Sequence, residues 1–384
     1  MQIELAREEP GPPVAEPTVS IAVVTHPSRL KVARQLAAQL TPAEVRLAID
    51  PNPFGRPGAL RAARVAYSAA SLNTTHHLVL QEDVSLPAGF LDLVRQGIQR
   101  YPDAVLSYFV EWGSPTATMV RWAGLVGADA VPAINTYLPT QAVSMPSEVA
   151  TEVGRFLREE AVIGDADDVM IKRYLDREKV RSLVTVPNLV EHLDLPSVSR
   201  NDGHGARRSV CMPGTGLAGR PHRLLAAPPQ VPNFHWVNEM PMMVRSSSAV
   251  RPGWWPTLSV LGRWGLGAGE LYADYSAAMS ERSGPKLDQL IRVVGHQHLF
   301  GVWMTAVAMG GVQNQNWPES LPALADWTGD PVRAQALRTF TPGSLRKLAD
   351  LDFLLANADE FTELWLAGMR YGTTHGDPAL DTVD

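Results

Sequence analysis

Three short β-branched runs, each stopping at polar residues and each followed by a helical period, decide most of what this chain can fold into. Val19-Ser20-Ile21-Ala22-Val23-Val24-Thr25 stops at His26-Pro27-Ser28, and Leu30, Ala33, Leu36, Ala37 and Leu40 then recur at helical spacing. Val45–Ile49 stops at Asp50. The Pro- and Gly-rich Pro51–Gly58 reads as a loop, followed by an Ala- and Arg-rich helix from about Ala59 to Ser71. The third run, Leu78-Val79-Leu80 in HHLVLQEDVSLPAGF, stops at Gln81-Glu82-Asp83. Pro87 follows, and then Phe90, Leu91, Val94 and Ile98 at helical spacing. Strands apolar on both faces that alternate with helices imply an α/β fold with a mostly parallel, helix-covered, Rossmann-like sheet.

Further along, Ala104–Val110 predicts a fourth strand, while the aromatic and Gly/Pro-punctuated stretch 111–140 predicts mostly loop. A strand is expected at Thr140–Ser144 and a helix under Val149, Val153, Phe156 and Leu157. Asp165-Ala166-Asp167-Asp168 opens another helix, Val169–Arg177, and Val180–Val190 runs strand-like into Glu191-His192. The expected organisation is a flexible arm over 1–17, an α/β unit over 18–205, a Gly-, Pro- and Arg-rich loop or linker over 206–233, and a mainly helical part over 234–384. Eight of the tryptophans fall in that last part. Leu287, Leu290, Ile291 and Val294 mark one of its helices, and Leu345, Leu348, Leu351 and Leu355 mark another. These helices offer surface for a homo-oligomer.

Composition narrows the function classes. A hydrophobic fraction of 45% supplies a full core, and a net charge of −6 argues against a nucleic-acid binder. Cys211 is the only cysteine, which rules out an internal disulfide and Cys₄ or Cys₂His₂ zinc sites. The N-terminal MQIELAREEPGPPVAEP carries acids and prolines where a signal peptide has a basic start and an apolar core. No apolar run reaches the roughly 18 residues of a membrane span. The expectation is a cytoplasmic protein. Phosphate-binding Gly-x-x-x-x-Gly-Lys loops, dinucleotide fingerprints and Gly-x-Ser-x-Gly elbows are all missing from the sequence.

Chemistry-bearing residues sit where strands end. Open α/β sheets bind ligands outside the carboxyl ends of their strands, which is where Thr25, Asp50 and the Glu82–Asp83 pair fall. Asp50 can accept a hydrogen bond from a base or ribose, or simply close a turn before Pro51. Arg61 and Arg64, one turn apart, can face a nucleotide. Arg207 and Arg208 in GHGARRS carry guanidinium forks that match phosphate oxygens. Asp165 and Asp168 also have the spacing of a helix cap.

The order of these parts resembles the nucleotide-sugar-dependent glycosyltransferases of the GT-A fold. VLQEDVSLPAGF is similar to that family's acidic motif followed by Pro and a helix. GDADDVMIKRYL looks like its acidic helix start, and VPNLVEHLDLPSVSR like the late strand with a metal-binding histidine. The likeness spans roughly residues 18–210. It implies transfer of a sugar from a nucleotide sugar, a UDP-sugar before others, to an acceptor the sequence does not specify. It further implies Mn²⁺ or Mg²⁺ held by Asp83 and His192, nucleotide contacts from Thr25, Asp50 and Glu82, and Asp168, with Asp167 as its substitute, as base if the reaction inverts or as a group positioning the acceptor if it retains configuration. Gln81 stands where an Asp-x-Asp motif has its first acid. Two rival functions share the same residues: a sugar nucleotidyltransferase and a non-catalytic binding module.

Overall fold

β1 (Val19–Thr25) shows how the sheet is built, because its alternate residues serve two different cores. Ile21 and Val23 join one apolar cluster, Ala22 and Val24 the other. This is the signature of a strand covered on both faces. The computed structural model describes residues 16–198, 202–245 and 253–378, so the expected arm lies outside the described residues up to position 15.

α1 (Leu30–Ala38) packs on one face and leads into β2 (Val45–Ile49). α2 (Leu60–Ser68) covers the other face before β3 (His76–Gln81). A two-residue strand, β4 (Val84–Ser85), precedes α3 (Phe90–Arg100), whose Phe90, Val94 and Ile98 share the cluster of α1. β5 (Val105–Ser107) is shorter than the run Ala104–Val110 suggests, because the Tyr108 carbonyl turns to accept from Leu189 N at 2.8 Å. α4 (Pro115–Val126) and β6 (Ala130–Pro132) occupy the stretch expected as loop. Every residue from Thr116 to Leu125 is buried, so α4 carries no amphipathic period to betray it. Its local signal is a start, not a stripe: Ser114 caps Ala117 N, and Pro115 takes the first turn.

β7 (Ala142–Pro146), α5 (Ser147–Glu159), α6 (Asp167–Arg177) and β8 (Ser182–Thr185) complete the α/β part. The seven-stranded sheet runs β2-β1-β3-β7-β5-β8-β6. Only β7 and β6 oppose the common direction, so the sheet is mostly parallel. The chain moves outward from β1 to β2 and then crosses back to β3 on β1's other side. That reversal opens a crevice above the carboxyl ends of β1 and β3. β9 (Glu191–His192) then pairs with β4, Val84 opposite His192.

Residues 206–229 are irregular but pinned. Trp112 N donates to Arg208 O, Val210 N to Val110 O, and Asn188 N to Cys211 O, at 3.0, 3.1 and 2.7 Å. An antiparallel sheet that the sequence did not announce comes next: β10 (Gln230–His235), β11 (Met240–Arg245) and β12 (Trp254–Pro256). Pro232 interrupts the strand signal of β10, and it is accommodated because β10 is an edge strand.

The remainder is helical: α7 (Thr257–Arg263), α8 (Ala268–Glu281), α9 (Pro285–Val294), α10 (His296–Asn316), α11 (Pro331–Arg338), α12 (Phe340–Leu345), α13 (Leu351–Ala356) and α14 (Ala358–His375). The four leucines do not share one helix: Leu345 ends α12, Leu348 lies in a turn, and Leu351 and Leu355 fall on α13, which Asp350 starts by capping Phe353 N at 2.9 Å. α10 and α14 touch backbone to backbone. A Cβ on Gly310 would lie 2.0 Å from Met369 O, and one on Gly372 1.9 Å from Val307 O. The apolar cluster continues from α2 and α4 into α10 and α14, with the Trp122 and Trp317 rings 5.4 Å apart. Among the described residues, no helix is long and apolar enough to cross a membrane.

Candidate functional site

A cleft of about 410 Å³ lies over the carboxyl ends of β1, β2 and β3. Of the residues expected from sequence, Thr25, Asp50, Arg61, Glu82, Asp83, Asp167, Asp168 and Arg207 line it, and His192 and Arg208 do not. Thr25 ends β1; its carbonyl accepts from Asp50 N at 2.9 Å, and its hydroxyl turns to His26 O at 3.1 Å.

Asp50 has no lone carboxylate to offer. Arg61 clamps it through Nε at 2.7 Å and Nη2 at 2.6 Å, and Asn52 N takes Oδ1 at 2.9 Å. Burial raises the acid's pKa, but Arg61 and the Asn52 amide outweigh it and hold Asp50 below the ordinary range. Arg61 also donates to Arg56 O at 2.8 Å, so the ion pair shapes the Pro51–Gly58 loop along the cleft wall. Asp50 therefore faces the cleft together with Arg61 and not as a lone acceptor.

The β4–β9 pairing brings Asp83 against His192. Arg29, which sequence reasoning missed, binds both acids from the first β–α turn: Nη1 lies 3.0 Å from Glu82 Oε1 and 2.9 Å from Asp83 Oδ2. Its Nη2 donates to Pro196 O. His192 Nε2 sits 3.5 Å from Asp83 Oδ2 and 3.3 Å from Arg207 Nη2, which makes a continuous chain Arg29–Asp83–His192–Arg207. Burial disfavours charge on both partners, yet His192 and Arg29 pull Asp83 down, and Asp194 and Asp83 push His192 up. Glu82 is raised by burial and then by Asp83. Gln81 cannot replace a missing acid, since its amide donates to Thr140 at 3.1 Å.

Arg208 turns the other way and pairs with Asp194 at 2.8 Å. The backbone here is extended, with Ser209 bridging Glu111, and consecutive side chains of an extended chain point to opposite sides. Glu191 anchors this segment by accepting from Ser209 N at 2.7 Å and Ser209 Oγ at 2.9 Å.

Asp167 and Asp168 open α6 at the far lip of the cleft. The cap position itself is Ala166, Asp165 turns back to Val162 N at 2.9 Å, and Asp168 Oδ1 accepts from the first-turn Val169 N at 2.8 Å. Both keep some access to water through the cleft. Burial, then the neighbouring Asp168 charge, pushes Asp167 up to about 7. Burial raises Asp168 as well, opposed by the Val169 amide and by Arg207. Two adjacent carboxyls displaced toward neutrality suit proton transfer near pH 7.

The atoms expected to hold Mn²⁺ or Mg²⁺ do not fit that task. Asp83 Oδ1 is sealed from solvent, and Oδ2 already accepts from Arg29. His192 Nδ1 is sealed as well, and Nε2 faces the Arg207 guanidinium. A dication seated there would lie against two fixed positive charges. Among the described residues, no group of three or more His, Cys, Asp or Glu is arranged to hold a metal ion. No family model matches the chain, and no curated protein matches its sequence.

Proposed function

We propose that the chain is a glycosyltransferase of the GT-A type, moving a sugar from a nucleotide sugar, a UDP-sugar first among candidates, to an acceptor hydroxyl. One observation carries the reading. A single cleft at the carboxyl ends of β1–β3 combines arginines with a carboxylate pair, one member of which is pushed up to about 7. Arginines at one wall suit the diphosphate, and an acid pair at the other suits the acceptor. In the proposed direct displacement the acceptor oxygen bonds to the anomeric carbon and its proton passes to the Asp167–Asp168 pair, Asp168 being the nearer to Arg207's charge. The bond to the diphosphate breaks with its electrons staying on the leaving oxygen. The anomeric centre inverts. Asp50 and Arg61 then act on the nucleotide side as one clamped unit.

The test is release of nucleoside diphosphate from a panel of nucleotide sugars with sugar and peptide hydroxyl acceptors. Asp168→Asn should slow release by roughly 10²–10⁴-fold, and the wild-type rate should climb as pH rises through about 7. Pyrophosphate as the product, or no turnover with any donor, overturns the reading.

A further inference from the structure

We infer that this cleft neutralises the leaving diphosphate with its own guanidinium groups, Arg29 and Arg207, and turns over without a divalent cation. The inference rests on the nucleotide-sugar reading and deepens it. Neutralising the diphosphate of such a donor needs positive charge fixed at the carboxyl end of β3, and the cation found at that place is Arg29.

The geometry explains why an arginine can hold it. A guanidinium has five N–H donors in a rigid fork. Three of Arg29's are directed at Glu82, Asp83 and the Pro196 carbonyl. Among the described residues the other two have no partner, and the side chain lines the cleft, so the acids act as orienters of a cation and not as ligands of a metal. Glu82 and Asp83 together supply what a lone arginine beside a diphosphate lacks, a fixed position and a fixed plane. Pro196 lies four residues beyond the end of β9, with the cleft residues Ser197 and Val198 next, so the β4–β9 pairing that places Asp83 also leads the chain to Arg29's third partner.

Arg207 approaches from a different segment. Glu191's grip on Ser209 holds that segment in place, and His192 backs the Arg207 guanidinium at 3.3 Å. Arg29, Asp83, His192 and Arg207 thus form a pre-set row in which two cations flank two supporting groups. Preorganised positive groups aimed at developing negative charge can do what a Lewis acid does, without an exchangeable ion. Sequence spacing alone hides this arrangement, because Arg29 lies 53 residues before Glu82.

The experiment measures binding of UDP and GDP by calorimetry to the full-length protein, once in excess EDTA and once in excess Mn²⁺ or Mg²⁺. The expected result is equal affinity in the two buffers. Arg29→Met should weaken it by about tenfold or more, with Arg29→Lys recovering part of the loss. Arg207→Met, reaching the cleft from another segment, should weaken it too, while Arg208→Ala leaves it unchanged. Thermal unfolding of each variant shows whether the fold survives, and the Arg207 variant decides if the Arg29 variant does not fold. Binding that appears only with metal overturns the inference and leaves the nucleotide reading standing. EDTA-insensitive binding that neither arginine variant alters also overturns the inference. No binding of either nucleotide in either buffer removes the nucleotide-sugar reading, and the inference falls with it.

Discussion

The carboxyl edge of β1–β3 and the α10–α14 helix pair spend burial in opposite ways. Along α10, Gly301 through Gln313 is buried without a break and contains no ionisable side chain. Two glycines let α14 close onto it until the backbones touch. At the sheet edge, Arg29, Asp50, Arg61, Glu82, Asp83, Asp167, Asp168 and Arg207 crowd one cleft, and several of their pKa values are displaced by burial and by each other. Apolar burial returns stability, whereas burying charge costs it unless each charge is answered. The helix pair should therefore govern whether the protein is folded, and the cleft what the folded protein does. Substitutions in either region can break that division.

The largest effect is expected outside both regions, where the α/β part meets the helical part. Glu111, just beyond β5, and Arg346, after α12, form a buried ion pair, and Arg346 also lies 4.3 Å from the Trp236 ring. Its Nε donates to His204 O at 3.0 Å. Removing one partner leaves the other charge buried and unanswered, a loss of about 3–5 kcal/mol. Arg346→Met should lower the urea midpoint accordingly. The double variant Arg346→Met with Glu111→Gln should recover much of it. A single variant as stable as wild type would mean that the helical region and the sheet do not share their stability.

A smaller and purely steric loss tests the helix pair by itself. Gly372→Ala puts a methyl group 1.9 Å from Val307 O unless α10 and α14 separate. Overpacking of that kind costs about 1–3 kcal/mol. Nucleotide affinity of the molecules that remain folded should not change, because no residue of α10 or α14 lines the cleft. A shift in affinity without a shift in melting temperature would reverse the roles assigned to the two regions.

How much of this was legible beforehand also divides by region. The strands β1, β2 and β3 declared themselves as apolar runs, and their polar ends located the cleft, because ligand crevices follow strand ends. Asp167 and Asp168 were legible as an acidic helix start, although the Asp165–Asp168 spacing suited a cap equally well; Ala166 holds the cap position, and Asp168 accepts from Val169 N. α4 was not readable, since burial on every side erases the helical stripe. Arg29 could not be paired with Glu82 from spacing, as their meeting depends on β1 lying beside β3. Arg208 looked equivalent to Arg207 only because adjacency in sequence says nothing about which side of an extended chain a residue takes. Asp83 and His192 do lie together, 3.5 Å apart. The pattern of acids and a histidine, however, resembles a metal site whether or not an arginine occupies it.

The smallest expected effect gives the finest test of the cleft's strain. Asp167 has its carboxyl raised from 3.8 to about 7 in the fold, first by burial and then by Asp168. A group raised this way binds its proton more tightly folded than unfolded. Its stabilising contribution is complete below the unfolded value and is lost as pH rises through the folded one. Between about pH 4 and pH 7 the wild type should thus lose stability that Asp167→Asn, which cannot ionise, retains. Sharing of the proton with Asp168 and partial access to water reduce the difference to on the order of 1 kcal/mol. Melting temperatures of the two proteins at pH 4.5 and pH 7.5 should diverge, with the variant the more stable at the higher pH and nucleoside diphosphate release slowed in the same variant. Parallel melting curves across that range would show that the carboxyl pair carries no strain, and the contrast with the apolar helix pair would then rest on arginine placement alone.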